Sequence, residues 1–129
     1  MRKIGMKSKI DGSTSCISLT FRLAVNADKK QIIEILVNVY SELHNIAIDT
    51  KYFIFKGNHV VVYRNEDYDK TLSMIGEDKF LYYKSIMDFC PQKDRICLES
   101  QIELAKEIET LFVHHGIKAD IIAEFEHLL

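Results

Sequence analysis

Carboxylates are the commonest reactive side chains in this chain, and five of them gather in one stretch. Glu66, Asp67, Asp69, Glu77 and Asp78 bracket residues 65 to 79 with only Lys70 between them. A run of like charge is ordinarily a solvated loop. It also suits a docking surface for a basic protein, because complementary charge speeds encounter and fixes orientation while an aromatic neighbour anchors the contact. Tyr63, Tyr68 and Tyr82 are the candidate anchors. A second carboxylate set, Asp88, Glu124 and Glu126, offers acid-base chemistry, since Glu124 and Glu126 fall on one face of a strand. Solvated strand positions explain that set more simply, as perturbed carboxylates usually come with a cleft.

The sulfur and imidazole groups point less clearly to a reaction. Cys16, Cys90 and Cys97 are odd in number and lack C-x-x-C spacing, so reduced thiols are expected rather than a disulfide framework. His114 and His115 are adjacent and point apart on a helix, so with Cys90 and Cys97 they make no metal set. Cys97 lies near the start of a predicted helix, where a thiol is acidified, but no oxyanion loop accompanies it. Neither Walker nor dinucleotide glycine spacing occurs, so no cofactor is expected.

Charge narrows the partner. The total is -2, yet Arg2, Lys3, Lys7 and Lys9 place +4 in the first ten residues, and from Glu66 onward 14 acidic residues face 7 basic ones. An acidic body disfavours nucleic acid and attracts a basic protein. Exposed tyrosines on a sheet can stack RNA bases, but no strand carries the aromatic-glycine pattern of an RNA recognition motif. No apolar run approaches the roughly 18 residues of a membrane span and no signal peptide opens the chain, so a cytoplasmic location is expected.

The elements that must position these groups read from periodicity. Residues 1 to 15 form a mobile basic leader, and residues 16 to 129 form one domain. Ile17, Leu19, Phe21, Leu23 and Val25 alternate with mostly polar residues, a strand buried on one face. Asn26 is placed to cap a helix whose apolar stripe, Ile32, Ile33, Leu36, Val39, Tyr40 and Leu43, ends near His44 and Asn45. Two β-branched and aromatic runs then flank Gly57-Asn58, a two-residue hairpin turn that sets Phe55 opposite Val60, Ile54 opposite Val61, Phe53 opposite Val62 and Tyr52 opposite Tyr63. One hairpin face is Phe53, Phe55, Val60 and Val62. The other is Tyr52, Ile54, Val61 and Tyr63, a surface on which a homodimer is conceivable.

Phe80 to Cys90 fits either a strand with Leu81, Tyr83, Met87 and Phe89 on one face or a helix with Phe80, Tyr83, Met87 and Cys90 on one face. A strand is preferred, because aromatics dominate its start and Pro91 stops it. A second helix spans Leu98 to His115, closed by Gly116, and Ile117 to Phe125 alternates as a last strand. The order is β-α-β-β-(β)-α-β. It implies an α+β two-layer sandwich of ferredoxin-like type, with two helices on one face of a mostly antiparallel sheet.

The order of parts from Ile17 to Glu126, the aromatic run Phe80-Leu-Tyr-Tyr-Lys-Ser-Ile-Met-Asp-Phe-Cys-Pro91 and the closing Ile-Ile-Ala-Glu-Phe-Glu126 after a Gly-terminated helix resemble small immunity proteins of bacterial polymorphic toxin and contact-dependent growth inhibition systems. The resemblance implies a non-enzymatic inhibitor that binds a cognate toxin, often a nuclease, commonly through acidic side chains. It transfers no role to any single residue. The other readings are a small enzyme or ligand-binding domain on the open sheet face, and a homo-oligomeric structural or regulatory protein.

Overall fold

The computed structural model describes residues 19–92 and 96–123. The predicted leader, the start of the first strand and the carboxylates Glu124 and Glu126 lie outside the described residues. The elements are β1 (Phe21–Val25), α1 (Lys29–Val39), β2 (Phe53–Phe55), β3 (Asn58–Arg64), β4 (Ser85–Pro91), α2 (Leu98–His114) and β5 (Ala119–Ala123). The five strands form one sheet in the order β2-β3-β4-β1-β5, and every neighbouring pair is antiparallel. This is the expected α+β sandwich in roughly the ferredoxin-like chain order, with β4 set between β3 and β1.

Alternation decides which face is buried. Phe21, Leu23 and Val25 of β1, Phe53 and Phe55 of β2, Val60 and Val62 of β3, and Met87 and Phe89 of β4 all join one core. Ile32, Ile33 and Leu36 of α1 and Leu104, Ala105, Ile108 and Phe112 of α2 close over it. Both helices therefore cover the same face. Within that core, the Phe21 and Phe89 rings stack at 4.5 Å. Gly116 takes φ +75 after α2, the left-handed C-terminal position that the sequence predicts.

Three local expectations are corrected. The α1 cap is Asp28, whose carboxylate accepts from the Gln31 amide, while Asn26 turns its side-chain oxygen to the Lys84 amide at 3.2 Å. The hairpin turns on Lys56 and Gly57, at φ 52 and φ 79, so Phe53 pairs with Val60 and Phe55 with Asn58. A two-residue turn of this kind needs positive φ at both central positions, which places Gly57 second rather than first. The shift keeps parity, so the two predicted faces survive while the Tyr52–Tyr63 pairing does not. Asn58 instead enters the core, where it exchanges hydrogen bonds with Gln101 at 3.0 and 2.9 Å, and Gln101 also donates to the Leu19 carbonyl at 2.8 Å. Finally, Lys79–Tyr82 is a 3-10 turn and the strand begins at Ser85. Asn65 holds that turn back from the sheet by capturing the carbonyls of Leu81 and Tyr83.

Candidate functional site

Residues 65 to 84 leave β3 and return to the adjacent β4, and they carry the acidic stretch singled out in the sequence. Arg64 and Ser85 are ladder partners, and the Asn65 amide donates to the Lys84 carbonyl at 2.9 Å, so the ends are clipped together. Asn65 then organises the inside. Its Nδ2 donates to the carbonyls of Leu81 at 2.9 Å and Tyr83 at 2.8 Å, and its Oδ1 accepts from the Asp67 amide at 3.0 Å. One amide side chain thus joins the outgoing and returning arms.

Further in, the Asp69 amide donates to the Tyr82 carbonyl at 3.2 Å, and the Asp69 carboxylate accepts from the Leu72 amide at 2.9 Å. That contact starts the 3-10 turn Leu72–Met74, which packs against the 3-10 turn Lys79–Tyr82. Ser73, the middle residue of the first turn, is buried, and its hydroxyl donates to the Lys70 carbonyl at 2.8 Å. The excursion is a folded element tied by its own backbone and polar side chains.

The predicted site residues divide on this scaffold. Glu66, Asp67, Asp69, Glu77 and Asp78 are all exposed, and among the described residues none forms an ion pair. Tyr68 and Tyr82 are half-buried, Tyr68 beneath the Lys84 ammonium at 6.0 Å and Tyr82 against Asp69 through its carbonyl. Tyr63 lies apart from them on the outer sheet face. Burial, followed by the nearby Asp88 carboxylate and its hydrogen bond, raises the Tyr63 hydroxyl pKa.

Periodicity hides the apolar residues of this element. Leu72, Met74, Ile75 and Leu81 are exposed, with Met74 at 62% and Ile75 at 59%. Four such side chains stand exposed on one short element that also carries five exposed carboxylates, a composition that suits an apolar contact with a charged rim. No known protein family, curated protein or solved structure matches this chain. The candidate site therefore stands on geometry.

The other chemical candidates have different surroundings. Asp88 Oδ1 lies 2.7 Å from Arg22 Nε on the outer sheet face, an ion-pair distance without the alignment of a hydrogen bond. That contact suits structural pairing across the β1–β4 ladder, where Arg22 and Asp88 are register partners. Cys97 is exposed at the start of α2 with its sulfur 3.1 Å from the Ser100 hydroxyl, whose hydrogen bond lowers the thiol pKa. His114 and His115 are exposed at the other end of that helix, His115 Nδ1 meeting the Leu111 carbonyl at 2.9 Å. Among the described residues, no group of three or more histidine, cysteine or acidic side chains is placed to hold a metal ion. Also among the described residues, no helix is long and apolar enough to cross a membrane.

Proposed function

We propose that this protein is a non-enzymatic inhibitor of the immunity type that docks a basic toxin domain through the excursion between β3 and β4. The observation that carries the reading is Leu72, Met74, Ile75 and Leu81 held exposed among Glu66, Asp67, Asp69, Glu77 and Asp78. Desolvating the apolar centre supplies affinity, and the acidic rim draws in and orients a positively charged partner. The ties through Asn65 and Asp69 preorganise the surface, so little chain entropy is lost on binding. A nuclease toxin suits the rim, because its substrate site is itself basic.

The test is co-expression with a toxin-like C-terminal domain encoded beside this gene, with growth rescue and association rate as readouts. Glu66→Lys with Asp67→Lys is the cleaner reversal, since Asp69 also holds the Leu72 amide. At low salt the double reversal slows association by roughly tenfold or more, and raising salt narrows the gap. Met74→Ser speeds dissociation. Absence of rescue, or an association rate indifferent to both charge and salt, overturns the proposal.

The hairpin face supports a second reading as a homodimer surface, because Tyr52 and Ile54 are 54% and 47% exposed. Tyr52 is stacked on His59 at 4.6 Å, and Val61 and Tyr63 are half-buried. Light scattering across a concentration series separates a monomer from such a dimer.

A further inference from the structure

The excursion has a chemical complement in its own chain. By sequence, the 18 residues before Leu19 carry Arg2, Lys3, Lys7 and Lys9 against Asp11 alone, a side-chain charge of +3, and Ile4, Met6 and Ile10 stand among those cations. Residues 65–84 carry five carboxylates against Lys70, Lys79 and Lys84, a charge of -2, and their Leu72, Met74, Ile75 and Leu81 are exposed. Each stretch sets apolar side chains among charges, and the two charges are opposite in sign.

Ala24 shows where the excursion lies relative to β1. Its neighbours Leu23 and Val25 alternate across it, with both of them in the core, so Ala24 faces the outer side of the sheet, yet it is fully buried. Two contacts bring the return arm of the excursion to that face. The turn Lys79–Tyr82 packs against β1, and the buried Tyr83 reaches the carboxylate of Asp120, the ladder partner of Ala24. Val25 in turn pairs with Ser85, where the excursion rejoins the sheet. Leu19 stands six positions before Val25, at most about 20 Å away at roughly 3.3 Å per residue. Residues 11–18 span up to about 26 to 29 Å when extended, so residues 2–10 can reach the excursion.

We propose that residues 2–10 of the same chain occupy the excursion when no other partner is bound, with their cations on its carboxylates and Ile4, Met6 and Ile10 on its exposed apolar side chains. A short tether holds such a segment at an effective concentration of order millimolar, so contacts too weak to retain a free peptide suffice within one chain. A basic partner then competes with the chain's own cations for the surface. The inference takes from the proposed function only that the excursion is a docking surface, and its test needs no toxin.

The experiment follows oxidation of Met74 by hydrogen peroxide in the full chain, resolved by peptide mass, because Met74 is 62% exposed on the excursion. The comparison is a full-length variant with Arg2→Gln, Lys3→Gln, Lys7→Gln and Lys9→Gln. At low salt the native chain is oxidised at Met74 roughly threefold more slowly or better, since a segment bound two thirds of the time leaves one third of the exposure. Salt of about 1 M, with a Debye length of about 3 Å, removes that protection. Nuclear Overhauser contacts from the Ile4 and Ile10 methyls to those of Leu72, Ile75 and Leu81 are expected in the native chain and absent from the variant. If the variant loses its dispersed spectrum, Glu66→Gln with Asp67→Gln replaces it and the same loss of protection is expected. Equal oxidation of native chain and folded variant, or no methyl contacts, overturns the proposal. Contacts found only between labelled and unlabelled chains in a mixture overturn the same-chain assignment. Growth rescue by a chain without these contacts removes the leader while leaving toxin docking in place, and contacts without rescue do the reverse.

Discussion

Asn65→Asp is the most discriminating change in the proposed docking element, because it keeps shape while exchanging two donors for a charged acceptor. In the native protein Nδ2 reaches the Leu81 carbonyl at 2.9 Å and the Tyr83 carbonyl at 2.8 Å, while Oδ1 accepts from Asp67. Aspartate retains the Asp67 contact but points a charged oxygen at two carbonyl oxygens. Losing two hydrogen bonds costs about 1 to 3 kcal/mol, and the repelled, unsatisfied acceptors bring the local total to roughly 2 to 4 kcal/mol. Hydrogen exchange reads this directly at the amides of Asp69, Ser73, Leu81 and Tyr83, which are bonded within the excursion. At about 1.4 kcal/mol per tenfold, their exchange accelerates by a factor of about 30 or more, while amides of β1 and β4 keep their protection. Asn65→Ala sharpens the comparison, since it loses all three contacts but introduces no repulsion. If the two carbonyl contacts are what hold the element, aspartate is at least as damaging as alanine. Exchange in Asn65→Asp equal to that of the native chain refutes the reasoning.

Other consequences are more compact. Asn58→Ala and Gln101→Ala each strip a buried amide of its reciprocal partner, leaving Gln101 only the Leu19 carbonyl or Asn58 only the Lys56 carbonyl, and cost about 2 to 4 kcal/mol, but a double-mutant cycle in urea shows a coupling of about 1 kcal/mol or more; additive losses contradict the reciprocal pair. Gly57→Ala is more destabilising than Gly76→Ala, since both sit at positive φ but a methyl at Gly57 meets Ile96 Cδ1 at 2.8 Å while Gly76 faces open space; equal losses in melting temperature contradict this. The Tyr83 hydroxyl is pushed from its ordinary 10.0 up to about 12, first by burial and then by the Asp120 carboxylate and its hydrogen bond. The raised value favours the protonated form, so its contribution to stability is present below pH 10.0 and is lost as pH rises through about 12. Tyr83→Phe removes that step from a melting curve followed between pH 8 and 12.

Legibility follows from periodicity. The strand faces in β1 and the hairpin, together with the stripe of α2, were readable because each repeats at 2.0 or 3.6 residues and one-sided burial enforces the repeat. The α1 cap was ambiguous because Asn26 and Asp28 both suit the position, and only the tertiary contact of Asn26 with Lys84 separates them. The hairpin register turned on one residue, for a reason 43 positions away: Asn58 is taken into the core by Gln101. Phe80 to Tyr83 reads as strand by composition, yet Asn65 binds its carbonyls and a 3-10 turn forms. A side chain competing for backbone carbonyls leaves no periodic trace.

The same logic explains why the acidic half of the candidate surface was visible and the apolar half was not. Charges count the same in any conformation, whereas Leu72, Met74, Ile75 and Leu81 become a surface only after the excursion folds. Their exposure carries more weight than the unpaired carboxylates. A surface ion pair contributes about 0 to 1 kcal/mol, so leaving Glu66 or Asp67 unpaired costs the free protein little and requires no partner to explain it. Fully burying a Met or Ile side chain contributes about 1.5 to 3 kcal/mol, and the excursion forgoes that contribution at Met74 and Ile75 while ordering its backbone around them. Within the proposed complex, the apolar side chains therefore set how long a partner stays, and the carboxylates set how quickly it arrives. Those effects separate in kinetics: Met74→Ser acts chiefly on dissociation and is nearly salt-independent, whereas the Glu66 and Asp67 reversals act on association and fade as salt rises.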